Sequence, residues 1–150
     1  MTMNKQKLVE QLEKHEGLKL KPYTDTVGKL TIGIGRNLEG KGITPDEARF
    51  MLNNDIIYFA NEVSRLFAPF NSLDNARQNV LINMAFNLGI GGLFTFKNFL
   101  SCVMSGDFDQ AAIEMLDSKW ARQVGKRAND LAEQMRTGDY RWYAKALNPH

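Results

Sequence analysis

At Gly17 the apolar residues change period, and few folds accommodate that change so early in a chain. Before it, Leu8, Leu12 and Glu16 recur at four-residue intervals, the spacing of one helix face. Asn4 is a suitable N-cap and Gly17 a suitable residue just past a helix end, so a helix is expected over 4–16. After Gly17, Lys19-Leu20-Lys21 alternates, Pro22 permits only an edge position, and Thr24 to Gly28 carries turn chemistry. Leu30-Thr31-Ile32-Gly33-Ile34-Gly35 then alternates strictly, apolar residues to one face and Thr31 with two glycines to the other. A helix followed at once by a small hairpin or three-stranded sheet is an α+β beginning. Two glycines on one strand face imply a close approach to the backbone, or else a bulge or tight corner.

The remainder reads as helical. Residues 36–43 form a loop, and Thr44-Pro45-Asp46-Glu47 is a helix start with its cap, its first-turn proline and its capping-box glutamate. That helix is expected to reach about Phe67, where Ala68-Pro69 stops it, and it is long enough to join two lobes. A helix over 72–88, capped by Ser72 or Asp74, carries Val80, Leu81, Met84, Ala85 and Leu88 and should be buried on most sides, with Gly89 ending it. Shorter helices follow over 96–104, from the Asp107/Gln110 capping box to about Leu116, and over 126–136 and 139–146. Phe86, Phe94, Phe96 and Phe99 are expected in the core. The fold class is α+β, mainly α, in one domain over 1–150. Within it stand a small α/β lobe over 14–43, a connecting helix over 44–67 and a helical lobe over 68–150 on which residues 1–13 pack.

Composition removes several functions. No apolar run approaches the roughly 20 residues of a spanning helix, so no stable membrane insertion is expected. The N-terminus is polar and charged, unlike a signal peptide, so the chain is expected to start in a cytoplasm. Cys102 is the only cysteine; it excludes an intrachain disulfide and reads as a small hydrophobe in the run LSCVM. One of the two histidines, His150, is the last residue, so no histidine zinc site is expected, and no metal or other cofactor. Gly89-Ile90-Gly91-Gly92 follows a helix and lacks a following Lys-Ser/Thr, so it is no phosphate loop. Net charge is +3 over 1–43, −5 over 44–118 and +4 over 119–150. Basic ends suit a polyanion held between them, or are simply solvated faces. Nucleic acid is not expected, because there is no dense basic tract and no RNP or zinc-finger pattern.

What remains for chemistry is a carboxylate pair with a hydroxyl. Glu16 falls on the expected core-facing stripe at the negative end of a helix, where burial and the dipole both disfavour an ionised carboxyl, as a general acid needs. The plain alternative is an exposed last-turn glutamate. Asp25 lies in a turn and Thr31 on the glycine-lined strand face. Two carboxyl groups in unlike settings are the standard equipment for glycoside hydrolysis. Any chain of this length offers many carboxylate pairs, so the asymmetry of setting carries more than the spacing.

Glu16-Gly17, Tyr23-Thr24-Asp25-Thr26-x-Gly28 and Thr31-Ile32-Gly33-Ile34-Gly35 closely resemble the catalytic signature of the T-even-type phage lysozymes, the endolysin muramidases of glycoside hydrolase family 24. The resemblance extends through Thr44-x-Asp46-Glu47-Ala48, Leu81-Ile82-Asn83-Met84-x-Phe86-Asn87-x-Gly89, Ser118-x-Trp120-x-x-Gln123, Arg127 and Arg136-Thr137-Gly138. It implies a lysozyme-like fold and hydrolysis of the β-1,4 bond between N-acetylmuramic acid and N-acetylglucosamine, with inversion. Glu16 would be the acid, while Asp25 and Thr31 hold and activate the water. It implies Tyr23, Asn83, Phe86, Asn87, Gln123 and Arg127 as substrate-binding residues, Arg127 pairing with Glu16. Peptidoglycan glycan strands would be the partner of a monomer that waits in the host cytoplasm. It would reach the periplasm at lysis, with the help of a separate membrane-permeabilising protein. Three departures stand out: a short loop between Gly35 and Thr44, Glu114 in place of a neutral polar residue, and Arg36 in place of a histidine. Arg36 is expected to pair with Asp55.

Overall fold

The computed structural model describes residues 2–147; His150 lies outside them. Helix α1 (Lys5–Glu16) is followed by strands β1 (Lys19–Thr24), β2 (Leu30–Gly33) and β3 (Arg36–Asn37). Helices α2 (Pro45–Leu66), α3 (Asn75–Leu93), α4 (Lys97–Ser105), α5 (Phe108–Leu116), α6 (Lys119–Val124), α7 (Lys126–Thr137) and α8 (Arg141–Leu147) complete the chain. A 3-10 turn spans Ala68–Ser72. The order is that of an α+β, mainly helical, lysozyme-like fold. The chain divides into two compact units, one running to Met51 and one from Leu52, so the boundary falls inside α2.

In the first unit, local hydrogen bonds define the elements. Asn4 accepts from the Lys7 amide and starts α1; the Gly17 amide donates to the Glu13 carbonyl and ends it. The antiparallel sheet has the order β1-β2-β3, with Tyr23 opposite Thr31 and Thr31 opposite Asn37. The six-residue alternation expected over 30–35 is cut short. Gly33 and Gly35 take positive φ, 72° and 71°, and the chain turns at Ile34-Gly35 into β3, where a loop was expected. A short strand there left no pattern to find, because two residues have no period.

Within its own unit α1 meets little apolar surface. The helix has no buried residue, and Leu8, Val9 and Leu12 are 37%, 41% and 44% exposed. Strands of six, four and two residues offer little surface to cover a helical stripe, and Thr31 is the only buried residue of this unit among the described ones. The other fixed point is charged. Arg36 donates to Glu47 at 2.8 Å and to the Gly42 carbonyl at 3.1 Å, joining β3 to the first turn of α2. Glu47 therefore takes the place of Asp55 as the partner of Arg36. Glu47 also accepts from the Thr44 amide at 2.9 Å while Thr44 Oγ1 accepts from the Glu47 amide, the expected capping box.

The second unit holds the apolar core. Val80, Leu81, Met84 and Ala85 of α3 are fully buried among Val63, Phe99, Met115, Trp120, Leu131 and Met135. Helix α3 is buried on most sides, as expected, with one face open: Asn75, Asn79, Asn83 and Asn87 recur every four residues, and none of the four is buried. Phe86, expected in the core, is 44% exposed, while Phe99 is buried and Phe94 and Phe96 are packed at the core's edge. Gly89 breaks the helical path (φ 77°, ψ 163°), but the chain resumes it to Leu93 instead of forming a turn over 89–92. Helix α6, begun by Ser118 accepting from the Ala121 amide, was not expected; at six residues it is too short to show a period.

Two measurements test this description. Met84→Ala removes a fully buried side chain, and urea titration is expected to show a loss of about 2–5 kcal/mol. The Arg36 guanidinium, with the Thr44 amide behind it, holds the Glu47 carboxyl at about 2, below its ordinary 4.5. A lowered folded-state value gives stability that is present above pH 4.5 and lost as pH falls toward 2. The melting-temperature gap between wild type and Glu47→Gln should therefore shrink across that window.

Candidate active site

Glu16 is the last residue of α1, and Gly17 (φ 76°) turns the chain away so that the carboxyl is carried on a helix end. It is exposed, so the plain alternative of a solvent-facing glutamate describes its setting better than burial does. The carboxyl is nonetheless seated. A Cβ built on Gly35 would lie 3.0 Å from Glu16 Oε2 and 3.1 Å from its Cδ. The carboxyl thus rests over the bare backbone of the β2–β3 turn, and Gly35 leaves the room for it. Around Gly33 nothing lies within 4 Å of such a Cβ; its glycine answers to positive φ alone.

Asp25 and Thr31 are tied together through one residue, Lys29. The Asp25 Oδ1 atom accepts from the Val27 amide at 3.0 Å and from the Lys29 amide at 2.8 Å. The Asp25 amide donates to the Lys29 carbonyl at 2.9 Å, closing the β1–β2 turn, and Thr31 Oγ1 donates to that same carbonyl at 2.9 Å. The turn sequence Asp-Thr-Val-Gly-Lys makes this possible. Aspartate bonds the backbone two residues on, and Gly28 supplies φ of 85°. Tyr23 stands directly opposite Thr31 on the same sheet face.

The remaining predicted residues belong to the second unit, where they form two groups. Arg127 donates to Asn83 Oδ1 from Nε at 3.0 Å and from Nη2 at 2.7 Å, and Nη2 also reaches the Asn83 carbonyl at 3.3 Å. With Phe86, Leu52, Ile56, Asn79 and Ile82 they line a cavity of about 340 Å³. Asn87 accepts at 2.7 Å from the indole N–H of buried Trp120. Gln123 and Trp120 line a second cavity of about 450 Å³, whose charged lining is Lys97, Glu114, Asp117 and Lys119. Reading the sequence missed the Lys29 main chain and the seat at Gly35. The glycine was noticed, but a strand pattern does not say which atom approaches it. Among the described residues no group of three His, Cys, Asp or Glu is placed to hold a metal ion.

One carboxyl on a helix end, a second fixed in a turn and a hydroxyl beside it are groups that glycoside hydrolysis can use. Comparison with known proteins specifies the kind. Residues 13–137 match the phage lysozyme family. The chain is 30% identical to a probable T4-type lysozyme 2 of Dictyostelium discoideum, covering 91% of this chain and 97% of the relative. It is 29% identical to the pre-baseplate central spike protein Gp5 of Enterobacteria phage T4 over 91% of this chain, which spans 28% of that larger protein. It is also 29% identical to the SAR-endolysin of Bacteriophage PS119, over 77% of this chain and 69% of the relative. The chain belongs to the phage lysozyme family and is a lysozyme, a glycosidase that lyses peptidoglycan.

Gly35→Ala tests the seat. The new methyl would meet the Glu16 carboxyl and hold an L-residue at φ 71°. Turbidity loss of cell walls is expected to slow by one to two orders of magnitude, roughly the cost of misplacing a reacting group. Gly33→Ala carries the same backbone strain without the clash, and should slow it less.

Proposed function

We propose that the chain is an inverting N-acetylmuramidase. It cuts the β-1,4 bond between N-acetylmuramic acid and N-acetylglucosamine, and serves the lysis of a bacterial host for phage release. Glu16 gives its proton to the leaving oxygen. Asp25 takes a proton from water on the opposite face of the sugar, and Thr31 is that water's second anchor. The observation that carries this reading is the Asp25–Lys29–Thr31 arrangement: two oxygen acceptors fixed by one residue's main chain, on the same unit as a carboxyl that has its own seat. A hydroxyl at position 31 leaves space for water where a second carboxylate would compete to bond with the sugar itself.

Around this chemistry we place Tyr23, Asn83, Phe86, Asn87 and Gln123 as contacts to the glycan. Arg127, whose guanidinium is oriented by Asn83, is a further contact to the glycan. The protein acts as a monomer on peptidoglycan strands. It accumulates in the host cytoplasm and reaches the periplasm when a separate protein permeabilises the membrane. Among the described residues no single helix is long and apolar enough to cross a membrane.

Digestion of purified peptidoglycan tests the reading. Wild type should produce reducing-end muramic acid, seen first as the α-anomer by NMR. Glu16→Gln should lose that product by several orders of magnitude. Anhydro sugars, a first-formed β-anomer, or undiminished cleavage by the variant would each refute it.

A further inference from the structure

Thr31 is 3% exposed, the one buried residue of its unit among those described, and its hydroxyl has a fixed polarity. The partner of Oγ1 is the Lys29 carbonyl oxygen, 2.9 Å away, and a carbonyl oxygen can only accept. The single hydroxyl proton is therefore committed inside the protein. No N–H or O–H of the described residues donates to Oγ1, so what it offers is lone pairs. Asp25 matches it. Both amide donors fall on Oδ1, and none of the described residues donates to Oδ2.

We propose that Thr31 serves the reaction only as a hydrogen-bond acceptor, held so by the Lys29 carbonyl, and that this selects a nucleophile bearing two protons. The inference rests on the inverting reading above. A water between Thr31 and Asp25 donates one proton to each, which turns its oxygen lone pair away from both and toward the sugar. As that oxygen bonds to the anomeric carbon, the carbon–oxygen bond to the leaving sugar breaks and its electron pair goes to the leaving oxygen, protonated by Glu16. The proton on the Asp25 side passes to Oδ2; the one on the Thr31 side stays with the new hydroxyl. An alcohol has one such proton. It can satisfy Asp25 or Thr31 but not both, and the lost bond costs about tenfold in rate. A Thr31 that donated would hold an alcohol's oxygen as readily as water's.

Peptidoglycan digestion in aqueous methanol separates these cases, with methyl glycoside and free reducing ends counted by mass spectrometry. Wild type and Thr31→Ser, which keeps an oxygen and a proton for Lys29, are expected to give methyl glycoside at about a tenth of methanol's molar share. Thr31→Val, nearly isosteric, is expected to keep KM, to lose about tenfold in kcat, and to form methyl glycoside at methanol's full molar share, because nothing then requires a second proton. Methyl glycoside from wild type at methanol's full molar share overturns the proposal, whatever the variants do. So does a Thr31→Val enzyme that retains kcat or still discriminates against methanol. If Glu16→Gln continues to cleave, the inverting reading fails. If that variant is dead and methanol partitions alike in wild type and Thr31→Val, only the acceptor role of Thr31 fails.

Discussion

The first unit has to keep its shape without an apolar core. Up to Met51, Thr31 alone is buried among the described residues, and the exposed residues include Leu18, Leu20, Val27 and Phe50. Within the unit itself, order comes from directional bonds. These are the Asn4 cap, the turn closed by Asp25 and Lys29, and the Arg36–Glu47–Thr44 knot at the start of α2. This suits catalysis. A group held by two amides has one allowed position, whereas a group held by packing shares the tolerance of its neighbours.

The second unit solves the opposite problem. Its apolar face is amply covered, and what needs fixing is the rotation of α3 relative to its neighbours. The open asparagine row does this. Asn75 accepts from the Tyr140 hydroxyl and Asn79 donates to it, Asn83 accepts from Arg127, and Asn87 accepts from Trp120. Each amide bonds a side chain outside α3, at four-residue spacing. Asparagine is a poor helix former, so four in one helix face cost local propensity and return defined contacts to α6, α7 and the segment before α8. Arg127 and Trp120 are thereby oriented by the same row.

Much of this could be read from the sequence, because caps are local chemistry. Asn4, Thr44 with Glu47, and Asp107 with Gln110 each announced a helix start correctly, and the lysozyme-like fold followed from motifs in order. Three kinds of feature could not be read. The period of α1 says which residues share a face and not what lies opposite. β3 and α6 are too short to carry a period at all. For Arg36 the sequence offers more than one acidic residue of α2, and only the fold shows Glu47 as its partner. At the candidate site, Glu16, Asp25 and Thr31 could be named from the sequence as candidates. The Lys29 main chain could not, since a backbone group has no letter of its own.

Arg77 reaches from α3 to the last turn of α7. Its Nε donates to the Met135 carbonyl at 2.7 Å and its Nη2 to the Arg136 carbonyl at 3.0 Å, and its guanidinium lies 3.7 Å from the centre of the Phe108 ring. Gly138, which ends α7 at φ 72°, leaves the space that guanidinium fills; a Cβ there would stand 2.7 Å from Nη1. The two positions, far apart in sequence, therefore share one volume. A side chain at position 138 would need the guanidinium to swing out of that space, giving up its bonds to the end of α7.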